Sequence, residues 1–380
     1  MRQTVRLGSV HGIPVGAHWS VLLILFLLVY SLAVGMLPAV AGGYPPAGYW
    51  LTALLIAGLF LTGLVGHELA HAVMAQHYRI PVTSITLWAL GGISELDGKP
   101  HRPRAELLIA LAGPAASLLV AGTFAAATAP AGLAGADLLR IGLSWLAEAN
   151  LLLAGFNLLP GAPLDGGRAL TAILWGLRGD RSAAQRVAAQ TGGLLGLLLA
   201  GAGVMALVAY AATGGLWLIL LGWYLTVAAR GEETAAALSD QLRGILVGEV
   251  MSTPAVCGYA GHTVPQFVTG TARWCPHRAY PVTDIDGRLA GLVTVATLAA
   301  VPPERRASTR LADVMIPRSR LRVTHVDEAL LDIVPALDTP ARTVVVVDQD
   351  RPSGVVTAGD VSRLAGVARL GAHPAGRAAR

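Results

Sequence analysis

The chain has 380 residues, of which 54% are hydrophobic and 13% are charged, and its mean hydropathy is +0.59. A typical soluble domain carries about 25% charged residues, and a disordered chain lacks this much apolar surface, so both classes are excluded. The apolar runs, with their many glycines, indicate a polytopic α-helical membrane protein.

The charges are distributed unevenly along the chain. Residues 1–230 contain 12 Lys and Arg and 8 Asp and Glu, whereas the shorter stretch 231–380 contains 16 and 15. We therefore predict a membrane domain over 1–230, a linker over 231–244, a water-soluble domain over 245–370 and a disordered basic tail over 371–380. The net charge of +5 arises mostly from Arg in short loops between apolar segments, so we expect no nucleic-acid partner.

Six apolar stretches are long enough to cross a bilayer, which takes about 20 residues each. The last two are separated by Thr213 and glycines, which predicts a tight helical hairpin between them. We place the six spans near residues 17–37, 51–76, 105–128, 138–159, 190–212 and 214–230.

The basic residues between these spans predict the orientation. Lys and Arg are enriched in cytoplasmic loops, and ten of them lie on the N-terminal side of the predicted spans against one on the other side. We predict a multi-pass protein of the cell membrane with both termini in the cytoplasm, because an even number of spans returns the chain to its starting side. The ten are Arg2, Arg6, Arg79, Lys99, Arg102, Arg104, Arg168, Arg178, Arg181 and Arg186, and the one opposite is Arg140.

The second predicted span contains an H-E-x-x-H motif at residues 67–71. Residues four apart share one face of a helix, so His67 and His71 can bind one metal ion together. Glu68 lies beside them, where its carboxylate can take a proton from an activated water. Two core histidines without a metal would be the competing interpretation.

A carboxylate after the fourth span completes the predicted metal site. A catalytic zinc takes three protein ligands and one water, and Asp165 reaches the same side of the membrane as His71. Two prolines precede Asp165 and two glycines follow it, which predicts irregular backbone around a cavity. The alternative is a loop aspartate that caps the following helix.

H-E-x-x-H in a membrane helix, followed about 90 residues later by N-x-x-P-x-x-P-x-D-G, resembles the site-2 protease family of intramembrane zinc metalloproteases. The resemblance covers essentially the whole chain and is strongest to actinobacterial members with a C-terminal CBS pair. It implies one Zn²⁺ per chain on His67, His71 and Asp165, with Glu68 as the catalytic base.

The same resemblance suggests residues that position the substrate. Asn150 and Asn157 lie two helical turns apart on one face, where an amide could bind the substrate peptide or the developing oxyanion, or could instead form hydrogen bonds between helices. Residues 84–96 read as an extended hairpin with Gly91 and Gly92 at its turn, which in the family is a membrane-embedded β element near the site. Such an edge could pair with a substrate strand.

The soluble part contains an internal repeat. Residues 247–251 recur as residues 311–315, and the two copies resemble a CBS pair, an α/β regulatory module. In such modules Thr357 and Asp360 would hold the phosphate and ribose of an adenine nucleotide such as ATP or AMP, although Asp360 as a helix cap is an equal alternative. The first copy has Thr297 in place of the aspartate. A CBS pair also allows dimerisation.

The sequence thus predicts an intramembrane zinc metalloendopeptidase that cleaves membrane-protein substrates in or near their transmembrane segments, in contact with membrane lipid. By family analogy the substrate is a single-span regulator such as an anti-sigma factor. A zinc transporter gated by the CBS pair is the main alternative, since it would also need intramembrane His and Asp. An inactive scaffold is a weaker one, because it would be expected to lose a ligand.

Overall fold

The computed structural model describes residues 4–88, 91–96, 98, 100–210, 214–338 and 341–369. The chain divides into two compact units, Met1–Ala236 and Ala237–Arg380. The predicted tail at 371–380 lies outside the described residues, and the predicted domain limits at 230 and 245 stay predictions.

Long helices dominate the first unit. Five of those in the described part are long and apolar enough to cross a membrane, which supports a multi-pass membrane domain. The helices are α1 (Ser20–Tyr30), which continues through a π-helical stretch (Ser31–Met36) into α2 (Leu37–Val40), then α3 (Pro46–His77), α4 (Pro103–Leu133), α5 (Asp137–Asn157), α6 (Asp165–Arg178), α7 (Arg181–Tyr210) and α8 (Gly215–Gln241).

The five candidate spans are α1 with α2, α3, α4, α5 and most of α7. The sixth predicted span falls on α8, which is not among them because Arg230 and Glu232 closely follow its apolar part. Six spans therefore stay a prediction. α6 is a short helix outside the six predicted spans, and it begins at Asp165 itself, so the predicted irregular backbone ends one residue earlier, at Leu164.

Glycines bring α7 and α8 close together. A Cβ on Gly196 would meet the Gly222 carbonyl at 2.7 Å, and one on Gly203 would meet the Gly215 carbonyl at 2.6 Å. Small residues allow helix backbones to approach in this way inside a membrane domain, where close packing replaces the hydrophobic driving force. The predicted hairpin turn itself, at Thr213, lies outside the described residues.

A four-stranded sheet accompanies these helices, in the order β1–β2–β3–β4. β2 pairs with β3 in parallel, and β3 pairs with β4 antiparallel in the segment where the sequence predicts a hairpin. The strands are β1 (Val5–Val10), β2 (Ile13–Ala17), β3 (Val82–Trp88) and β4 (Gly91–Leu96).

β1 and β2, which were not predicted, form a hairpin before the first helix. Their two-residue turn has His11 at φ 51° and Gly12 at φ 77°, the positive values that a tight hairpin with twisted strands requires. β2 buries Ile13 and Val15 against Ala72 of α3 and Ile85 of β3, so the hairpin packs the sheet onto the helix of the H-E-x-x-H motif.

The second unit consists of two small sheets with short helices. One sheet has the order β5–β6–β7–β8 and the other β11–β10–β9, and the antiparallel pairs β6–β7 and β10–β11 are the repeated strands. Its strands are β5 (Gly258–Tyr259), β6 (Ala279–Thr283), β7 (Leu289–Thr294), β8 (Ile316–Pro317), β9 (Val323–Thr324), β10 (Thr343–Asp348) and β11 (Arg351–Thr357). Its helices are α9 (Val247–Val250), α10 (Val264–Phe267), α11 (Val295–Ala299), α12 (Pro303–Arg306), α13 (Leu311–Val314), α14 (Leu330–Ile333) and α15 (Ala358–Arg369).

Each repeat contributes its own apolar core. Phe267 and Tyr280 lie in the core of the first repeat, and Leu330 and Val346 in the core of the second. A third cluster joins them, because Leu292 of β7 packs with Val345 of β10. The two copies therefore fold as a pair, as the repeat in the sequence indicates.

Candidate metal centre

Three side chains from two parts of the first unit converge on one point. The Nε2 atoms of His67 and His71 are 3.2 Å apart, as their spacing of one helical turn on α3 requires. Asp165 Oδ2 lies 3.2 Å from each of these nitrogens. Among the described residues, these three form the group whose ligand atoms could hold a metal ion.

The loop that carries Asp165 is held by backbone contacts with α7. The Ala162 N–H donates to the Ala188 carbonyl at 2.9 Å. A Cβ on Gly192 would collide with the Ala162 carbonyl, and one on Gly161 would meet the Gly192 Cα at 2.6 Å. The glycines therefore allow the loop to lie directly on the helix, which brings Asp165 to the histidines.

α4 contacts the outer nitrogens of both histidines. His71 Nδ1 lies 2.6 Å from the Ile109 carbonyl, and His67 Nδ1 lies 2.9 Å from Ser117 Oγ. Between them is Gly113, where a Cβ would stand 2.6 Å from His67 Nε2. Sequence analysis does not single out Ile109 or Ser117, because Ile109 acts through its backbone carbonyl and a lone serine carries no motif.

Glu68 is buried beside the metal group and faces β4. A Cβ on Gly92 would stand 2.5 Å from Glu68 Cδ and 2.7 Å from Glu68 Oε1, so only glycine leaves room for the carboxylate there. Gly91 has open space around it but a φ of 142°, which glycine tolerates and other residues do not. The two glycines begin β4, while the turn before them lies outside the described residues.

The two asparagines on α5 differ in burial. Asn150 is fully buried and its Nδ2 donates to the Leu146 carbonyl at 2.8 Å, whereas Asn157 is half-buried and its Nδ2 donates to Leu153 at 3.0 Å. Within the described part of the chain, Asn150 Oδ1 has no hydrogen-bond partner, and it points toward Gly63, one turn before His67 on α3. A buried acceptor without a donor is costly, so it marks a place where a ligand group could bind.

In the second unit, the predicted nucleotide residues lie together at the start of α15. Asp360 Oδ2 accepts hydrogen bonds from the Thr357 N–H at 3.0 Å and from Thr357 Oγ1 at 2.7 Å. Its Oδ1 lies 2.8 Å from Arg363 and 3.4 Å from Ser252 Oγ. A cavity of about 460 Å³ is lined by Ser252, Arg363 and His277, so it adjoins this cluster.

The first repeat reproduces the same turn without a charge. The Thr297 N–H donates to Thr294 Oγ1 at 3.0 Å, and the Thr294 N–H donates to Thr297 Oγ1 at 2.9 Å. A hydroxyl thus replaces the carboxylate of the second repeat, in agreement with the difference seen in the sequence.

Comparisons with known proteins agree with this arrangement. Residues 55–136 and 132–200 match Peptidase family M50, and these ranges include all three candidate ligands. The chain is 40% identical over 376 residues to Rip3 of Mycobacterium tuberculosis, which carries the name of a zinc metalloprotease, and the match covers 97% of this chain and 95% of Rip3.

Two solved structures are similar to the two parts of the chain. The site-2 protease from Methanocaldococcus jannaschii is 26% identical, with a TM-score of 0.41, and the match covers 60% of this chain and 94% of that one. The CBS domain pair of protein MJ0100, in complex with 5′-methylthioadenosine and S-adenosyl-L-methionine, is 23% identical with a TM-score of 0.29, over 33% of this chain and 98% of that one.

Proposed function

Because the chain belongs to peptidase family M50 and is a zinc metalloendopeptidase of the site-2 protease type, we propose that it hydrolyses peptide bonds in or near transmembrane segments of membrane proteins. The observation that carries this proposal is the convergence of His67, His71 and Asp165 at mutual distances of 3.2 Å beside a buried Glu68. The relatives are metalloproteases, which does not favour a zinc transporter.

The donor set fits zinc. Two imidazole nitrogens and one carboxylate oxygen are ligands that Zn²⁺ prefers, and three protein ligands leave one position for water or substrate. His67 and His71 are both buried, so the proposed ligand nitrogens lie inside the protein. When bound, the ion supplies Lewis-acid chemistry that polarises a carbonyl and makes a water easier to deprotonate.

The residues of the chain then move the protons. The Glu68 carboxylate follows His67 directly and would accept the proton of the attacking water. The protonated Glu68 would then donate this proton to the nitrogen of the leaving amine, as a general acid. Burial against Gly92 holds the carboxylate in one place, and correct placement of such a group contributes substantially to the rate.

β4 and Asn150 support binding of an extended substrate. β4 ends the described sheet, so a substrate strand could add to its free edge and reach Glu68 past Gly91 and Gly92. Asn150 donates one Nδ2 hydrogen to its own helix, and its Oδ1 could accept a hydrogen bond from a substrate N–H. We assign Asn157 the same kind of contact nearer the end of α5.

The wider setting follows from the charges and from the family resemblance. We propose six spans with both termini in the cytoplasm, because the basic residues cluster on that side. Within the surrounding lipid, the substrate would be a single-span regulator such as an anti-sigma factor. The CBS pair would bind an adenine nucleotide near Thr357 and Asp360 to control cleavage, and it offers a surface for dimerisation.

The test of the catalytic role is Glu68→Gln. Because the amide cannot accept a proton, cleavage should fall by about 10²–10⁴-fold while zinc stays bound. Comparing membrane proteomes of cells that carry wild-type or Glu68→Gln protein should show uncut transmembrane fragments that accumulate only with the variant. The mechanism would be contradicted if the Glu68→Gln protein bound zinc normally and its cells contained no more uncut fragments than wild-type cells do.

A further inference from the structure

One face of α4 contacts the metal group without supplying a ligand. Ile109, Gly113 and Ser117 follow one another at intervals of four residues, so they form a single stripe along the helix, and all three are buried. We propose that this stripe is a template that positions His67 and His71 for the metal. The proposal rests on the proposed function and extends it to residues outside the ligand set.

The contact with Ile109 determines which nitrogen of His71 carries the proton. A carbonyl oxygen only accepts hydrogen bonds, so the bond of 2.6 Å places the proton on Nδ1. The neutral ring then has its lone pair on Nε2, which is the atom that faces His67 and Asp165. The helix backbone therefore fixes both the tautomer and the angle of the ring.

Ser117 performs the same task for His67. A hydroxyl can donate or accept, but binding of a metal at Nε2 requires that Nδ1 donate its proton to Ser117 Oγ, 2.9 Å away. Ser117 is 0% exposed, so its contact with His67 is shielded from solvent. Removal of the hydroxyl would leave the His67 ring N–H buried without a partner, and the ring would lose its fixed orientation.

Gly113 keeps the space between the two rings open. A Cβ at this position would stand 2.6 Å from His67 Nε2 and from His71 Cε1, and closer still to His71 Nε2. These are the nitrogens proposed to bind the ion, so a methyl group would push against the ligand atoms themselves. Gly122 on the same helix has nothing within 4 Å of such a Cβ, so alanine fits there freely.

The template predicts the effects of two matched pairs of variants on metal binding. In the purified full chain, zinc affinity is measured by competition with a chromogenic chelator, and site geometry by the absorption spectrum of the Co²⁺-substituted protein. Ser117→Ala should weaken zinc affinity about 10–100-fold and alter the Co²⁺ spectrum, as expected for loss of a hydrogen bond to a ligand. Its control is Thr123→Ala, which removes an exposed hydroxyl bonded to Leu119 of the same helix.

Gly113→Ala should abolish stoichiometric zinc binding, whereas Gly122→Ala should preserve it. Wild-type affinity and spectrum in Ser117→Ala would overturn the template, and this variant is decisive even if Gly113→Ala fails to fold. One zinc per chain in a folded Gly113→Ala protein would overturn it as well. If the wild-type chain bound no zinc, the proposed function would fail first, so the two failures are distinguishable.

Discussion

Each unit has an aspartate in the first turn of a helix, but the two aspartates bond to partners at very different distances along the sequence. Asp165 begins α6 and contacts His67 and His71, which are 98 and 94 residues away in the sequence. Asp360 lies in the first turn of α15 and bonds mainly to Thr357 and Arg363, each three residues away. One carboxylate depends on the tertiary fold, whereas the other depends chiefly on its own turn.

The two sets of contacts differ as those of a proposed metal ligand and those of a helix cap are expected to differ. Asp360 and Thr357 exchange hydrogen bonds with each other's backbone, which is the reciprocal pattern that stabilises a helix N-terminus without any bound molecule. Asp165 instead turns to two imidazole nitrogens, and a cation between such groups would satisfy all three at once. The contacts of a carboxylate thus indicate its role better than its position in a helix does.

The largest expected effect is that of Asp165→Ala. Loss of one of three ligands should lower zinc affinity by more than about 100-fold, since even the loss of a contact to a ligand costs about 10–100-fold. Cleavage should be lost with it, while the helix content seen by circular dichroism stays unchanged. Zinc per chain is measured by atomic absorption after dialysis.

Asp137→Ala is the matched control for that variant, because Asp137 also begins a helix of the first unit but forms its ion pair with exposed Arg140. It should keep zinc and activity. Normal zinc content in Asp165→Ala would mean that Asp165 is a helix cap like Asp360, and the contrast between the two aspartates would disappear.

A smaller effect is expected at Gly92. A substitution there changes the position of Glu68 but leaves all three proposed metal ligands in place. In Gly92→Ala the new methyl must displace the Glu68 carboxylate. A displacement of about 1 Å can cost about 100-fold in rate, so cleavage should fall by this order while zinc stays bound. Cleavage of a reconstituted membrane substrate and zinc content are measured on the same preparation.

Gly58→Ala on α3 is the control for Gly92→Ala, since a Cβ there meets nothing within 4 Å. It should cleave like the wild type. If Gly92→Ala also cleaved at the wild-type rate, β4 would not position Glu68, and the active site would depend on α3 and α6 alone.

The structure brings together the three residues that the sequence predicts for the metal group, but the contacts that support them could not be predicted from the sequence. His67, Glu68 and His71 are readable because a helix enforces their spacing, and Asp165 because prolines and glycines surround it. The contacts of Ser117 and the Ile109 carbonyl could not be predicted, because a hydrogen bond between two helices produces no periodic pattern in the sequence of either helix. Such contacts depend on how the helices pack, which local sequence does not encode.

The same limit applies to the fold. Helix positions follow from apolar runs, so the long helices lie close to where they are predicted, whereas the amphipathic α6 is too short and polar to be predicted as a span. β2 was missed because its pairing with β3 joins segments about 70 residues apart, and β1 pairs in the described sheet with β2 alone. A strand whose partner is distant looks like a loop until the partner is known.

The smallest expected effect is that of Asp360→Ala in the second unit. Loss of the reciprocal bonds with Thr357 should destabilise this unit by about 1 kcal/mol, the typical contribution of a helix cap, and should leave cleavage without nucleotide unchanged. Thr297→Ala is its counterpart in the uncharged turn of the first repeat, and should cost a similar amount. Thermal unfolding of the full chain, with and without AMP, measures both.

AMP should raise the melting temperature of the wild type and of Thr297→Ala, but not of Asp360→Ala, if the carboxylate also binds a ribose. A bound ribose would have to share Oδ1 with Arg363 and Ser252, because Thr357 already occupies Oδ2. Equal AMP shifts in all three proteins would show that Asp360 is only a cap. A loss of basal cleavage in Asp360→Ala would instead show that this turn is coupled to catalysis, and the contrast with Asp165 would no longer hold.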